Sequence, residues 1–126
     1  MYARLHRELF EFVKRNDWKS FIENTTDDFT FTFSRAGLTF DRDEFFTIVD
    51  TSTQLQRHEF KLHKIVEINN YTLTIFDIII FDKKKLHRKE YVLSRWREKK
   101  IESVHSYQIG TINPEIKEKW FNSLNI

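Results

Sequence analysis

Residues 56–81 read QRHEFKLHKIVEINNYTLTIFDIIIF. From Gln56 onward the hydrophobic pattern has period 2, the signature of a strand with one buried face. Asn69-Asn70 divides the run as a two-residue hairpin turn would, because Asn tolerates the left-handed backbone that such turns need. The stretch is therefore predicted as two long antiparallel strands, 56–68 and 71–82. The alternation continues through 86–98 and 100–110, which extends the pair into a four-strand meander.

Upstream of the meander the period changes. Leu5, Leu9, Phe12 and Val13 follow helical spacing with charged residues between them, predicting an amphipathic helix from residue 3 to about 15. A short second helix fits Trp18, Phe21 and Ile22, capped by Asn16 or Asp17. Phe29, Phe31 and Phe33 alternate with Thr30, Thr32 and Ser34 as a strand, and Leu38-Thr39-Phe40 returns after Gly37. Asp41 with Glu44 forms a capping box that opens a third helix carrying Phe45, Phe46, Ile48 and Val49, with Thr51-Ser52-Thr53 expected to end it. After the meander, Asn113, Pro114 and the stripe Ile116, Trp120, Phe121 and Leu124 predict a C-terminal helix at 113–124. The fold class is α+β: helices, each with one apolar face, cover one side of a curved antiparallel sheet and leave a cavity wherever they do not fill it.

Composition limits what such a domain can do. The chain has 126 residues, no internal repeat and no linker, so a single domain spanning 1–126 is expected. It contains no Cys, which excludes thiol chemistry and Cys-ligated metal, and only two Gly, neither in a phosphate-cradling motif. His58 and His63 are five positions apart on one strand and face opposite ways, so no metal site is expected. The net charge of +2 hides an excess of base in the second half, where Lys83-Lys84-Lys85, Arg88-Lys89 and Lys99-Lys100 lie at or beside expected turns. Such runs are turn chemistry that protects sheet edges, and no nucleic-acid or membrane partner is expected from them. No apolar run is long enough for a leader or a membrane span, which predicts a soluble, cytoplasmic chain.

The order of elements in residues 3–110 resembles the nuclear transport factor 2-like superfamily, the cone-shaped fold that includes SnoaL-like cyclases, ketosteroid isomerase and scytalone dehydratase. The most specific local piece is Arg95-Trp96-Arg97-Glu98-Lys99-Lys100-Ile101-Glu102-Ser103-Val104-His105-Ser106-Tyr107, which looks like the family's closing hairpin with Glu98-Lys99 in place of the common Asp-Gly turn. The C-terminal helix is an addition to the minimal pattern. The resemblance implies a pocket for a small, mainly apolar ligand, with cofactor-free acid/base chemistry of the isomerase, cyclase or dehydratase type where the pocket is catalytic. It equally accommodates a non-catalytic homodimeric interaction module whose cone is filled by aromatic side chains.

Strand parity then nominates residues. Constant pairing from the Asn69-Asn70 turn places Leu62 opposite Asp77 and puts Phe60, Leu62, Val66, Ile68, Leu73, Ile75, Asp77 and Ile79 on the concave face. In the closing hairpin Glu90, Val92, Ser94, Trp96, Ile101, Ser103, His105, Tyr107 and Ile109 are expected inward. Asp77 interrupts a β-branched and aromatic strand, so it is either a structural carboxylate satisfied by a partner such as Arg95 or a base with a raised pKa. As a catalytic set, Asp77 would be the base, His105 its partner and Tyr107 a donor to the developing oxyanion. Phe29, Phe31, Phe33, Phe60, Leu62, Glu90, Val92, Ser94 and Trp96 are the expected ligand-binding lining, and the Phe residues serve equally as plain core. Phe76, Ile78 and Ile80 are assigned to the outer sheet face, where an uncovered apolar patch would be buried by a second copy of the sheet in a two-fold homodimer, or by the C-terminal helix.

Overall fold

A computed structural model describes residues 1–34, 36–81 and 85–109, the last two by their backbone alone. Helices α1 (Tyr2–Lys14) and α2 (Trp18–Ile22) precede strands β1 (Thr25–Phe33) and β2 (Leu38–Asp41). Helix α3 (Arg42–Leu55) then leads into β3 (Arg57–Ile68), β4 (Tyr71–Phe81), β5 (Lys85–Arg97) and β6 (Lys100–Ile109). The expected C-terminal helix at 113–124 lies outside the described residues. No helix among them is long and apolar enough to cross a membrane.

Local chemistry sets these boundaries. Asp41 accepts from the Glu44 amide at 2.9 Å and the Glu44 carboxylate accepts from the Asp41 amide at 3.0 Å, the reciprocal pair expected of the capping box. The hydroxyl of Thr53 donates back to the Val49 carbonyl at 2.8 Å instead of breaking the helix, so α3 runs on through Leu55. Asn69 and Glu98 occupy the left-handed region at φ 54° and 58°, as tight hairpin turns require. Glu pays a steric cost there that glycine does not. Replacing Glu98 by Gly is therefore expected to stabilise the fold by about 1 kcal/mol in urea denaturation.

The sheet is six-stranded in the order β2-β1-β6-β5-β4-β3. It is mixed rather than purely antiparallel, because β1 lies parallel to β6, with Phe31 opposite Val104 and Phe33 opposite Ser106. That pairing joins residues some seventy positions apart and has no local signature. Helix α1 packs across β3 and β4, and α3 packs on β1 and β2, so the helices close the concave side.

Two β-bulges and one connection decide which side chains face that concavity. The Asn69-Asn70 hairpin holds its expected register from Ile68↔Tyr71 to Lys64↔Ile75, then shifts by one residue so that Leu62 opposes Phe76 and His58 opposes Ile80. An extra residue at His63 thus swaps the faces of the first half of β3. Phe60 and Leu62 consequently join Phe76, Ile78 and Ile80 in the core, whereas Leu73, Ile75, Asp77 and Ile79 belong to the convex side. This corrects the expected assignment of β4. Phe76, Ile78 and Ile80 are buried inside the cone and cannot form an outer dimerisation patch.

The second bulge, at Glu102, keeps Trp96 opposite Ile101 but places Ser94 opposite Val104 and Val92 opposite Ser106. Val104 and Ser106 therefore turn inward in place of His105 and Tyr107. Between β4 and β5 the register Phe81↔Lys85 leaves three residues in the connection, which separates Asp77 from the face that Glu90 and Trp96 share.

Candidate functional site

Between the helices and the inner sheet face lies a cavity of about 100 Å³. Its wall is almost wholly apolar, with Phe10 and Trp18 from α1 and α2, Phe45 from α3, and Phe60, Phe76 and Ile78 from β3 and β4. Phe45 sits at the centre of an aromatic cluster, stacked on Phe31 with ring centroids 4.4 Å apart and meeting Trp18, Phe21 and Phe29 edge-on or tilted. These rings anchor three helices to the sheet and also narrow the cavity.

Besides Ser52, Thr53 and His58, two hydrogen-bonded polar regions interrupt the wall. The first is Glu90 on β5, a buried carboxyl whose Oε2 accepts from the Ser106 hydroxyl at 3.0 Å. Arg88, two residues along the same face, approaches its other oxygen at 3.8 Å. Burial pushes the Glu90 carboxyl above the usual carboxylate range, and the Arg88 charge and Ser106 bond offset only part of that rise. A carboxyl shifted this way in an apolar cavity can give and take a proton nearer neutral pH.

The second region surrounds His6. This side chain shares a buried stripe of α1 with Leu9, Phe10 and Val13, so its imidazole points into the cone. Its Nδ1 lies 2.7 Å from the Thr72 hydroxyl, which also accepts from the Trp96 indole N–H at 2.9 Å. Burial lowers the His6 pKa to about 4, so the ring is neutral at physiological pH. Ser94 stands directly across from Thr72 on the neighbouring strand and also lines the cavity. Among the described residues its hydroxyl has no hydrogen-bond partner, and neither has the Trp18 indole N–H.

The fold formed by these elements matches solved structures over most of its length. An NTF2-like protein of unknown function from Cytophaga hutchinsonii aligns with a TM-score of 0.70 and 17% identity, covering 94% of this chain and 96% of that one. An NTF2-like protein from Anabaena variabilis gives 0.77 and 17%, covering 87% and 90%. The chain has the nuclear transport factor 2-like fold. A third structure, a hypothetical protein with a ketosteroid isomerase-like protein fold from Catenulispora acidiphila in complex with trimethylamine, aligns at 0.63 and 14% over 75% of this chain and 74% of that one. No protein-family model and no curated protein matches the sequence.

Within the nuclear transport factor 2-like cone, Phe31, Phe33, Phe60, Glu90, Val92 and Ser94 line the cavity. Phe29, Leu62 and Trp96 pack in or against the core without lining it. Asp77, His105 and Tyr107 are not brought to the cavity. Asp77 sits on the convex face between Lys61 and Lys89, its Oδ2 accepting from His63 Nε2 at 2.8 Å and His87 Nε2 at 3.0 Å. Burial alone would raise its pKa, but these two hydrogen bonds and the histidine charges outweigh it and hold the carboxyl below its ordinary value. The predicted partner Arg95 instead pairs with Glu102. Tyr107 is exposed and stacks beside His105 on that same side.

The cavity's polar residues were thus only partly legible. Glu90 was readable as lining but not as the acid, since its burial depends on where the β4–β5 connection sets the register. His6 is obscured in the sequence by its neighbours Arg4, Arg7 and Glu8, which make α1 look polar there. Its spacing to Leu9, Phe10 and Val13 was the available signal.

Proposed function

We propose that the chain binds a compact, largely apolar small molecule in the cone and exchanges a proton with it through Glu90, without a cofactor. The observation that carries this reading is a buried carboxyl with a raised pKa on the wall of an apolar cavity. The fold supports it, because a protein of similar fold is in complex with a small molecule, trimethylamine. Burial keeps Glu90 protonated to higher pH, ready to donate, and the Arg88 charge and the Ser106 hydroxyl steady the carboxylate once the proton has left. Reaction at the cone therefore belongs to the proton-transfer class, as in isomerisation or dehydration.

Exchange of α-protons of cyclopentanone in D2O, followed by NMR, tests the assignment. Wild type is expected to accelerate the exchange, and Glu90→Gln to reduce that acceleration at least a hundredfold while leaving ketone binding within a few-fold. Equal exchange by the two proteins would remove Glu90 from the chemistry.

One observation favours a second reading. At about 100 Å³ the cavity is well below the roughly 300–1,000 Å³ of ordinary ligand pockets. A cone so largely filled by Phe side chains suits a non-catalytic interaction module, and failure of every small probe to enter it would favour that role.

A further inference from the structure

The convex side of the sheet carries an apolar strip that none of the described helices covers. Cross-strand pairing sets Val66 beside Leu73 and Leu93 in one row, and Ile75 beside Tyr91 and Tyr107 in the next. These side chains are half-buried or exposed, and none of them joins the core that the helices close. Charge bounds the strip on both sides. Lys61, Asp77 and Lys89 form the next row in one direction, and the Arg95–Glu102 ion pair lies in the other.

The size of the strip selects its occupant. From the spacing and rise of β-strands it measures about 14 Å across β3 to β6 and about 13 Å along them. That footprint, roughly 180 Å², is far below the roughly 800 Å² that each partner of a stable dimer buries. A second sheet laid here would have to bury the flanking Lys61, Lys89 and Arg95 as well, at the cost of stripping water from their charges. One α-helix, about 10–12 Å across with its side chains, matches the width of the strip and leaves those charges in water.

The chain itself supplies such a helix. Strand β6 ends at Ile109, opposite Lys89 and one row from Tyr91 and Tyr107, and residues 110–126 follow it. In their sequence Ile116, Trp120 and Leu124 recur at intervals of four, with Phe121 beside Trp120. Residues 110–112 can span up to about 10 Å, and a helix over 113–124 about 18 Å, enough to cross from β6 to β3. We infer that residues 113–124 dock as a helix across the convex strip, with Ile116 toward Tyr91, Trp120 on Leu73 and Leu93, and Leu124 toward Val66. The apolar face is then closed within one chain, and release of the segment bares it to other chains.

The full chain tests this with its own tryptophans. Trp18 and Trp96 are buried in the cone, so acrylamide quenching of the emission reports mainly on Trp120. Wild type is expected to be monomeric by light scattering and weakly quenched. Leu73→Lys should raise the quenching constant about threefold as the Trp120 indole enters water. NMR of labelled wild type, which needs no variant to fold, is expected to show NOEs from the Trp120 ring to the methyls of Leu73 and Leu93. A wild-type monomer in which Trp120 is freely quenched or lacks those NOEs overturns the proposal. A wild-type dimer that Leu73→Lys dissociates gives the face to a second copy and overturns it too.

Discussion

Acidification from pH 7 to pH 4 is expected to remove about 3 kcal/mol of folding stability through His6 alone. The folded ring titrates at about 4, whereas an unfolded histidine titrates at 6.5. Below pH 6.5 the unfolded chain takes up a proton that the buried ring refuses, so stability is complete above that value and drains away down to about pH 4. Each pH unit in that window corresponds to about 1.4 kcal/mol. Glu90 has the opposite sign: its raised pKa favours the neutral carboxyl, so its contribution is greatest in acid and declines as pH rises above its unfolded value. The two groups can be separated with His6→Gln, which still offers Thr72 an acceptor but does not titrate. Urea denaturation at pH 7, 5.5 and 4 should show the variant losing markedly less stability than wild type. Parallel losses would place the acid sensitivity elsewhere.

Phe45→Ala is expected to cost about 3–5 kcal/mol, the usual range for truncating a well-packed aromatic core residue. Its ring contacts Trp18, Phe21, Phe29 and Phe31, so truncation loosens α2 and α3 from each other and from β1 at once. The same change enlarges a cavity that Phe45 already lines. Added benzene or toluene should therefore recover part of the loss in thermal denaturation of the variant and do little for wild type. A cost below about 1 kcal/mol would mean that the helices are held by other contacts.

The order of elements was legible because each announces itself over a short window. The Asp41–Glu44 box starts α3, Asn69-Asn70 turns β3 into β4, and Trp96 pairs with Ile101 as the closing hairpin demanded. Which face points inward was not legible, for a reason confined to three places. A strand's side chains alternate, so one unpaired residue at His63, another at Glu102, and a three-residue link after Phe81 each invert everything that follows. Counting apolar residues misled for the same cause, since Phe60 and Leu62 lie before the His63 bulge and Val66 and Ile68 after it. Asp77 stands out in the sequence as a carboxylate in an apolar strand, yet the partners that satisfy it, His63 and His87, arrive from two other strands. Glu90 and His6 acquire their chemistry from burial, a property of the assembled cone.

The parallel contact between β1 and β6 has a consequence for how the molecule is made. A ribosome delivers Phe31 and Phe33 long before Val104 and Ser106, the residues beside which they finally lie. Until β6 emerges, the edge of β1 that β6 will cover has no strand beside it, and such an edge is open to pairing with another chain. The nascent sheet thus stays in two parts until β6 emerges, the strand that joins the β1–β2 pair to the β3–β5 meander.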